Sequence, residues 1–321
     1  MLNRRLLRIK AFKVLYSTWQ DGPAALEPAR KELLLSCEKT LDLYYFLLNV
    51  CPSLRQLASD KIEALRNKFH PTEEERNPNM KFVNNRFFAD VENNVEFQKY
   101  CSRKGLLWGE YDIFVKKLFA SITASDYYAE YMASAEDSFE ADCKFARRIF
   151  EEEFEDNSSL DAILEDLSIF WTDDINYVLN IILYTIDNMI AGNPMVLPDV
   201  FIKDEDRDFV LKLLEVSLIH YDEYFKLVCD SLDNWDSDRL VSTDATLIVM
   251  GIAEAVAFEN IPAKVTINEY VEISKFYSTV NSRVFVNGLL DKIIQAKIAS
   301  GEIVKTGRGL LDGGQRVSKE Q

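Results

Sequence analysis

Apolar residues recur along nearly the whole chain at three- and four-residue steps, the spacing that gathers them on one face of an α-helix. The first such stripe is Leu6, Ile9, Phe12, Leu15, Tyr16 and Trp19, and it predicts a helix over residues 3–19. Arg4, Arg5, Arg8 and Lys13 fall largely off that stripe. Asp21-Gly22-Pro23 closes it, with glycine past the end and proline beyond. Residues 24–190 continue as a helical tract rich in Leu, Phe, Tyr, Glu and Asp, with breaks predicted at 51–53, at 70–79 and around Lys104–Gly105. The stretch AGNPMVLPD, 191–199, holds Gly, Asn and two prolines and is the best linker candidate.

Beyond the linker, Phe209, Leu213, Val216, Ile219 or His220, Tyr224 and Leu227 predict one long amphipathic helix over 206–232. A polar connection, 236–243, follows, with Ser242 and Thr243 as cap candidates. Residues 244–257 are almost all apolar, so this helix should be buried on most faces. Thr266 and Glu269 have capping-box spacing, which starts the next helix at Thr266. Asn281 or Ser282 caps the last one, whose stripe is Phe285, Leu289, Leu290, Ile293 and Ile294. Asn287-Gly288 is a hairpin signal in isolation, but here it lies inside that helical stripe. A mid-helix glycine costs about 1 kcal/mol against alanine, and close approach of another helix is the expected compensation. A weak internal echo, 26 residues from Phe145 to Trp171 and again from Phe209 to Trp235, suggests that the middle of the chain packs as helix pairs like those of the C-terminal half.

Composition sharpens the class. The 321 residues are 48% apolar but hold only 11 Gly and 8 Pro, too few for the turns of an all-β fold. The expected class is all-α. Net charge is −16, which argues against a general nucleic-acid binder. The charge is uneven, because residues 1–20 carry Arg4, Arg5, Arg8, Lys10 and Lys13 and no acid. An anionic partner is expected at that end. Stretch 126–156 is aromatic and strongly acidic, as solvated helix faces are. The five cysteines are widely spaced and odd in number, and only two histidines are present, so reduced thiols are expected and neither a metal site nor a cofactor. No apolar run reaches the roughly 20 residues of a membrane helix, and the basic start lacks the apolar core of a signal peptide. A cytoplasmic protein with no membrane partner is expected.

The stretch NIPAKVTINEYVEISKFYSTVNSRVFVNGLLDKI, 260–293, resembles the C-terminal signature of the NusB family of bacterial transcription antitermination factors. Pro262, Lys264, Val265, Ile267, Asn268, Glu269, Glu272, Phe285, Val286, Asn287, Gly288, Leu290, Asp291 and Lys292 fall on its pattern without gaps. The opening RRLLRIKAFKVLYSTWQ is similar to the family's arginine-rich first helix. Val284 stands where a basic residue is common and Asn281 where Asp is common.

The resemblance implies an all-α NusB-like bundle, two packed three-helix bundles, enlarged by an inserted helical region. It divides the chain into a basic first helix (1–20), an insertion of unknown role (21–205), a C-terminal bundle (206–296) and a flexible tail (297–321). It implies a factor without catalysis that binds boxA-like single-stranded RNA with NusE, a small-subunit ribosomal protein, within the transcription elongation complex. Homodimers occur in some members. Carried over by position, Arg4, Arg5 and Arg8, with Lys10 and Lys13 adding charge, would meet RNA, as would Asn281, Arg283 and Phe285. Tyr16 and Asp244 would meet NusE. Phe285 and Tyr16 are equally readable as core, the arginines as a solvated face, and Asp244 as a first-turn acid.

Two rival functions stand beside this one. An rRNA cytosine methyltransferase shares the fold but needs a Gly-rich nucleotide turn and a Pro-Cys motif, and the chain has neither. A helical protein-interaction scaffold that has lost RNA binding is the alternative that the acidic insertion favours.

Overall fold

The computed structural model describes residues 1–232, 241–279 and 281–311; apart from one isolated β-bridge between Leu2 and Phe201, the regular structure of these residues is helical, so the all-α class holds. Along the chain the helices are α1 (Arg4–Thr18), α2 (Leu26–Leu48), α3 (Val50–Arg66), α4 (Glu73–Arg76), α5 (Arg86–Asn93), α6 (Val95–Lys104), α7 (Asp112–Ala124) and α8 (Asp126–Ala133). There follow α9 (Phe139–Glu153), α10 (Ser158–Leu167), α11 (Ile175–Ile190), α12 (Asp204–Ile219), α13 (Tyr221–Asp230), α14 (Ser242–Ala257), α15 (Ala263–Tyr277) and α16 (Ser282–Ala299). They form two compact units, one made of Met1 and residues 38–200, the other of residues 2–37 and 201–321.

The boundary differs from the sequence expectation at its first end. Residues 21–37 belong with the unit that holds α1, so the inserted unit is 38–200. Its second end, between Val200 and Phe201, lies just past the linker candidate 191–199 and short of the expected 205. The inserted unit has an aromatic core. Phe46 stacks on Trp108 at 4.2 Å and on Trp171 at 5.5 Å, and the Trp108 indole donates to the Phe46 carbonyl at 2.8 Å. Rings this large account for much of a core's burial, and a buried indole N–H needs such a partner. Residues 38–200 carry 30 acidic and 16 basic side chains, a net −14 of the chain's −16.

The other unit is built around α14. Every residue from Asp244 to Ala255 is buried, as its apolar run requires. α14 packs with α12, α15, α16, α13 and α1, so it is the helix around which this unit is assembled. The close approach expected at Gly288 occurs instead at Gly251. A Cβ there would lie 2.6 Å from Leu290 Cδ2, so α16 packs directly on the bare backbone of α14. Gly288 has open space beside it.

Other local expectations are also corrected. The predicted helix 206–232 is two helices, because His220 at φ −102°, ψ 19° leaves helical geometry between α12 and α13. Thr266 caps nothing, since α15 starts at Ala263 behind Pro262, whose ring presets the entry to the first turn. A capping box does form at Thr72 and Glu75, inside the predicted break at 70–79. Near the break predicted at 51–53 the chain does leave helix, at Asn49 between α2 and α3, and Pro52 sits just past it. It occupies the first turn of α3, where backbone N–H groups have no helical partner to lose. Gly105 ends α6 in the left-handed conformation at φ 69°, as its position suggested. Trp235 and most of the connection 236–243 lie outside the described residues.

Residues 300–311, expected within a flexible tail, fold back onto the end of α14. Ile303 is buried, the Thr306 N–H donates to the Glu259 carbonyl at 3.0 Å, and Lys305 Nζ donates to the carbonyls of Ala255 and Phe258. A lysine on the last carbonyls of a helix satisfies groups that lack intrahelical partners. Residues 312–321 lie outside the described residues.

Candidate nucleic-acid interface

α1 begins where the Asn3 side chain accepts the Leu6 N–H at 2.9 Å, an N-cap that frees the next four turns to run unbroken. Its buried face is wider than the predicted stripe. Leu6, Leu7, Ala11, Phe12, Val14 and Leu15 are buried, and so are Arg8 and Lys10. Two of the five predicted RNA-facing cations are therefore inside the protein.

Arg8 has a definite partner there. Its Nε and Nη2 donate to the two carboxylate oxygens of Glu254 on α14, at 2.7 and 2.8 Å. Thr266 Oγ1 and the Tyr270 hydroxyl, both on α15, donate to the same carboxylate at 2.9 and 3.1 Å. The Glu254 charge is thus fully dressed, the condition under which a carboxylate tolerates burial. Burial pushes the Arg8 guanidinium down, but the facing Glu254 outweighs it and the pKa ends above the ordinary value. Burial, then Glu254, holds the Tyr270 phenol well above its ordinary range. This four-residue junction of α1, α14 and α15 is structural. It corrects the expectation that Arg8 faces RNA as an open cation, because its side chain is 4% exposed and committed to Glu254 even where it borders the cleft lined by Arg4 and Arg5.

Sequence reasoning missed Glu254, Thr266 and Tyr270. A signal existed. Glu254 is the lone acid in the apolar run 245–258, and a buried carboxylate demands a cation from elsewhere.

Arg4 and Arg5 lie nearer solvent. Arg4 Nε donates to Asp206 of α12 at 3.0 Å, and its guanidinium lies 4.9 Å from the centre of the Phe209 ring. Arg5 grips Glu269 of α15 with two hydrogen bonds, at 2.9 and 2.8 Å, while half its side chain stays exposed. The hydrogen bond from Arg5 draws the Glu269 carboxyl below its ordinary range, against the opposing effect of burial. Lys13 is half-buried with its ammonium 5.6 Å from the Tyr277 ring.

The second predicted patch opens α16. Asn281 and Arg283 are exposed and Phe285 is half-buried. Asn281, Phe285, Gly288 and Lys292 share a groove of about 610 Å³ with Val284, which is 76% exposed. Both patches border α15: Arg5 bonds its Glu269, and α16 packs along it. Glu272 on α15 is drawn below its ordinary pKa by a hydrogen bond from Lys275 first, with Arg5 and Arg283 adding to the effect. Glu272 thus feels the charge of an arginine from each patch.

Tyr16 and Asp244 both lie near the start of α14, on different partners. The Tyr16 hydroxyl is 3.0 Å from Ser242 Oγ, and Tyr16 is 41% exposed. Asp244 is buried and accepts from Ser282 Oγ at 2.7 Å, which corrects its placement on an open surface. Among the described residues no cluster of His, Cys, Asp and Glu could hold a metal ion, and no helix is long and apolar enough to cross a membrane.

The fold and this junction define a class, an all-α bundle in which an arginine-rich first helix is locked to a central apolar helix by a buried ion pair. The model of the NusB family matches residues 197–295, which span α12 to α16. A protein from Salinibacter ruber named Transcription antitermination protein NusB is 39% identical over 111 residues, 34% of this chain and 69% of that protein. Proteins of the same name from Chloroherpeton thalassium and Thermodesulfovibrio yellowstonii are 34 and 37% identical, over 36 and 29% of this chain and 56 and 61% of their own lengths. No solved structure is matched. The chain belongs to the NusB family. Most of the inserted unit, 38–196, lies outside the family match.

Proposed function

We propose that the protein is a transcription antitermination factor that binds boxA-like single-stranded RNA, with NusE as its protein partner, in the cytoplasm and without catalysis. The observation that carries this reading is exposed Arg5 of α1 held on Glu269 of α15, with exposed Arg283 and half-buried Phe285 opening α16, the helix that packs along α15. Cations for phosphates beside an aromatic face for an unstacked base are what single-stranded RNA requires. Arg4, Arg5, Arg283 and Phe285 carry the contact, with Asn281 and Lys13 at its margins. The exposed Tyr16 hydroxyl beside Ser242 marks the end of α14 where NusE would dock.

Fluorescence anisotropy of a boxA RNA with and without NusE tests this. Binding is expected to strengthen when NusE is present and to fall at least tenfold for Arg283→Glu, which breaks no internal ion pair among the described residues. No binding at low salt in either condition would refute it.

A second reading is a protein-interaction scaffold. It is favoured by one feature, the stretch 149–202, which holds twelve acidic residues and not one Lys or Arg. Under that reading Arg283→Glu leaves partner capture unchanged and RNA never competes.

A further inference from the structure

The three arginines of α1 are each matched by an acid. Arg4 pairs with Asp206, Arg5 with Glu269 and Arg8 with Glu254, so this group carries no surplus charge. A phosphate approaching α1 alone would meet cations whose fields are already answered at 2.7–3.0 Å. The surplus comes from the returning C-terminal segment. Arg308 is exposed and forms no ion pair among the described residues. It lines a cleft of about 510 Å³ together with Arg4, Arg5, Pro262, Glu269 and Leu311.

The segment that carries Arg308 is built to lie there. Ile303 is buried and its N–H donates to the Lys297 carbonyl at 3.0 Å. Lys305 and Thr306 bond the carbonyls that end α14 and follow it. Gly309 is buried against the Glu259 carbonyl so closely that a Cβ would lie 2.0 Å from its oxygen. No other residue type fits at that position without moving the segment. Gly307, at φ 54°, makes the turn that precedes Arg308.

We propose that this cleft is a phosphate-binding site for the backbone of single-stranded RNA, in which Arg308 supplies the net charge and Arg4 and Arg5 supply oriented N–H donors. Arg4 bonds Asp206 through Nε alone, which leaves its two Nη groups to donate. The inference rests on the RNA reading above and adds to it a cation from outside the first helix and the start of α16.

The test is a salt series of anisotropy titrations with the full chain and a boxA RNA, comparing wild type, Arg308→Gln, Gly309→Val and, as a general charge control, Lys117→Gln on an exposed face of the inserted unit. Arg308→Gln is expected to weaken binding three- to tenfold and to lower the slope of log K against log salt by about 0.7, the value for one phosphate contact on a single strand. Gly309→Val, which displaces the segment, is expected to do the same. If wild type binds and Arg308→Gln matches it, or loses no more than Lys117→Gln does, the cleft proposal is wrong and the RNA reading stands. If wild type does not bind at all, both are wrong.

Discussion

Replacing Arg8 by methionine removes one half of the buried junction and leaves the other half charged. Glu254 is wholly buried, so its carboxylate would keep only the Thr266 and Tyr270 hydrogen bonds and lose two charge-assisted ones of 2.7 and 2.8 Å. Breaking a buried pair from one side costs about 3–5 kcal/mol. The opposite change, Glu254→Gln, strips less. Arg8 retains Glu269, 3.6 Å from its Nη1, and glutamine keeps an oxygen that accepts from Thr266. Its cost is expected to be about 2 kcal/mol, in the range for a hydrogen bond to a charged group. Because two units need not unfold together, the measurement is hydrogen exchange of α14 and α15 peptides along a urea series. With a slope of roughly 2 kcal/mol per molar, Arg8→Met should move the midpoint of these peptides down by about 1.5–2.5 M. Peptides of α3, α7 and α9 should not move. A shift under about 0.5 M for Arg8→Met, or a larger one for Glu254→Gln, would refute the assignment of the junction as the lock between α1 and α14.

Four further outcomes are expected. Gly251→Ala should cost about 1–3 kcal/mol by overpacking against the buried Leu290 side chain, whereas Gly288→Ala, with open space beside it, should stabilise by up to about 1 kcal/mol; urea midpoints rank the pair. Glu269 has a folded pKa below its ordinary 4.5, so its pairing with Arg5 adds stability above that value and loses it as pH falls through the folded pKa. Arg5→Gln should therefore flatten the acid limb of a stability-against-pH curve for α15. Trp108→Ala should cost about 3–5 kcal/mol and register in exchange of α2 and α7, not of α15. Half-buried Cys229 should be the first thiol to react with a disulfide reagent in the native protein, since the other four are buried and burial pushes Cys101 and Cys143 up to about 12.

Periodicity alone placed α1 within a residue at each end and identified α14 as the buried helix, because both faces of a wholly apolar run must be covered. It could not see His220 interrupt α12 and α13, since the apolar steps continue through a break that changes only backbone angles. The VNG signature located α16, but whether glycine there faces a helix or open space depends on partners that are distant in sequence. Gly251, one position among many small residues in α14, carried no local mark of its role. The arginines show the same limit in charge. Composition counts Arg8 as a surface cation until Glu254, 246 positions away, is known to face it. Signals that act within one turn were mostly legible, the Thr266 cap excepted, and those that need a partner from another helix were not.

That separation of 246 positions also sets an order of events during synthesis. At roughly 5–20 residues per second, α1 waits about 12–50 s after its own translation before Glu254 exists. The whole of 38–200 is made within that interval and has its own aromatic core to collapse around. Until then α1 is a short helix with an apolar face and no bundle to bury it, and helices of about 15 residues are marginal alone. The ion pair between α1 and α14 thus cannot form until residue 254 has been made, so translation past α14 is a condition for ordering the first helix.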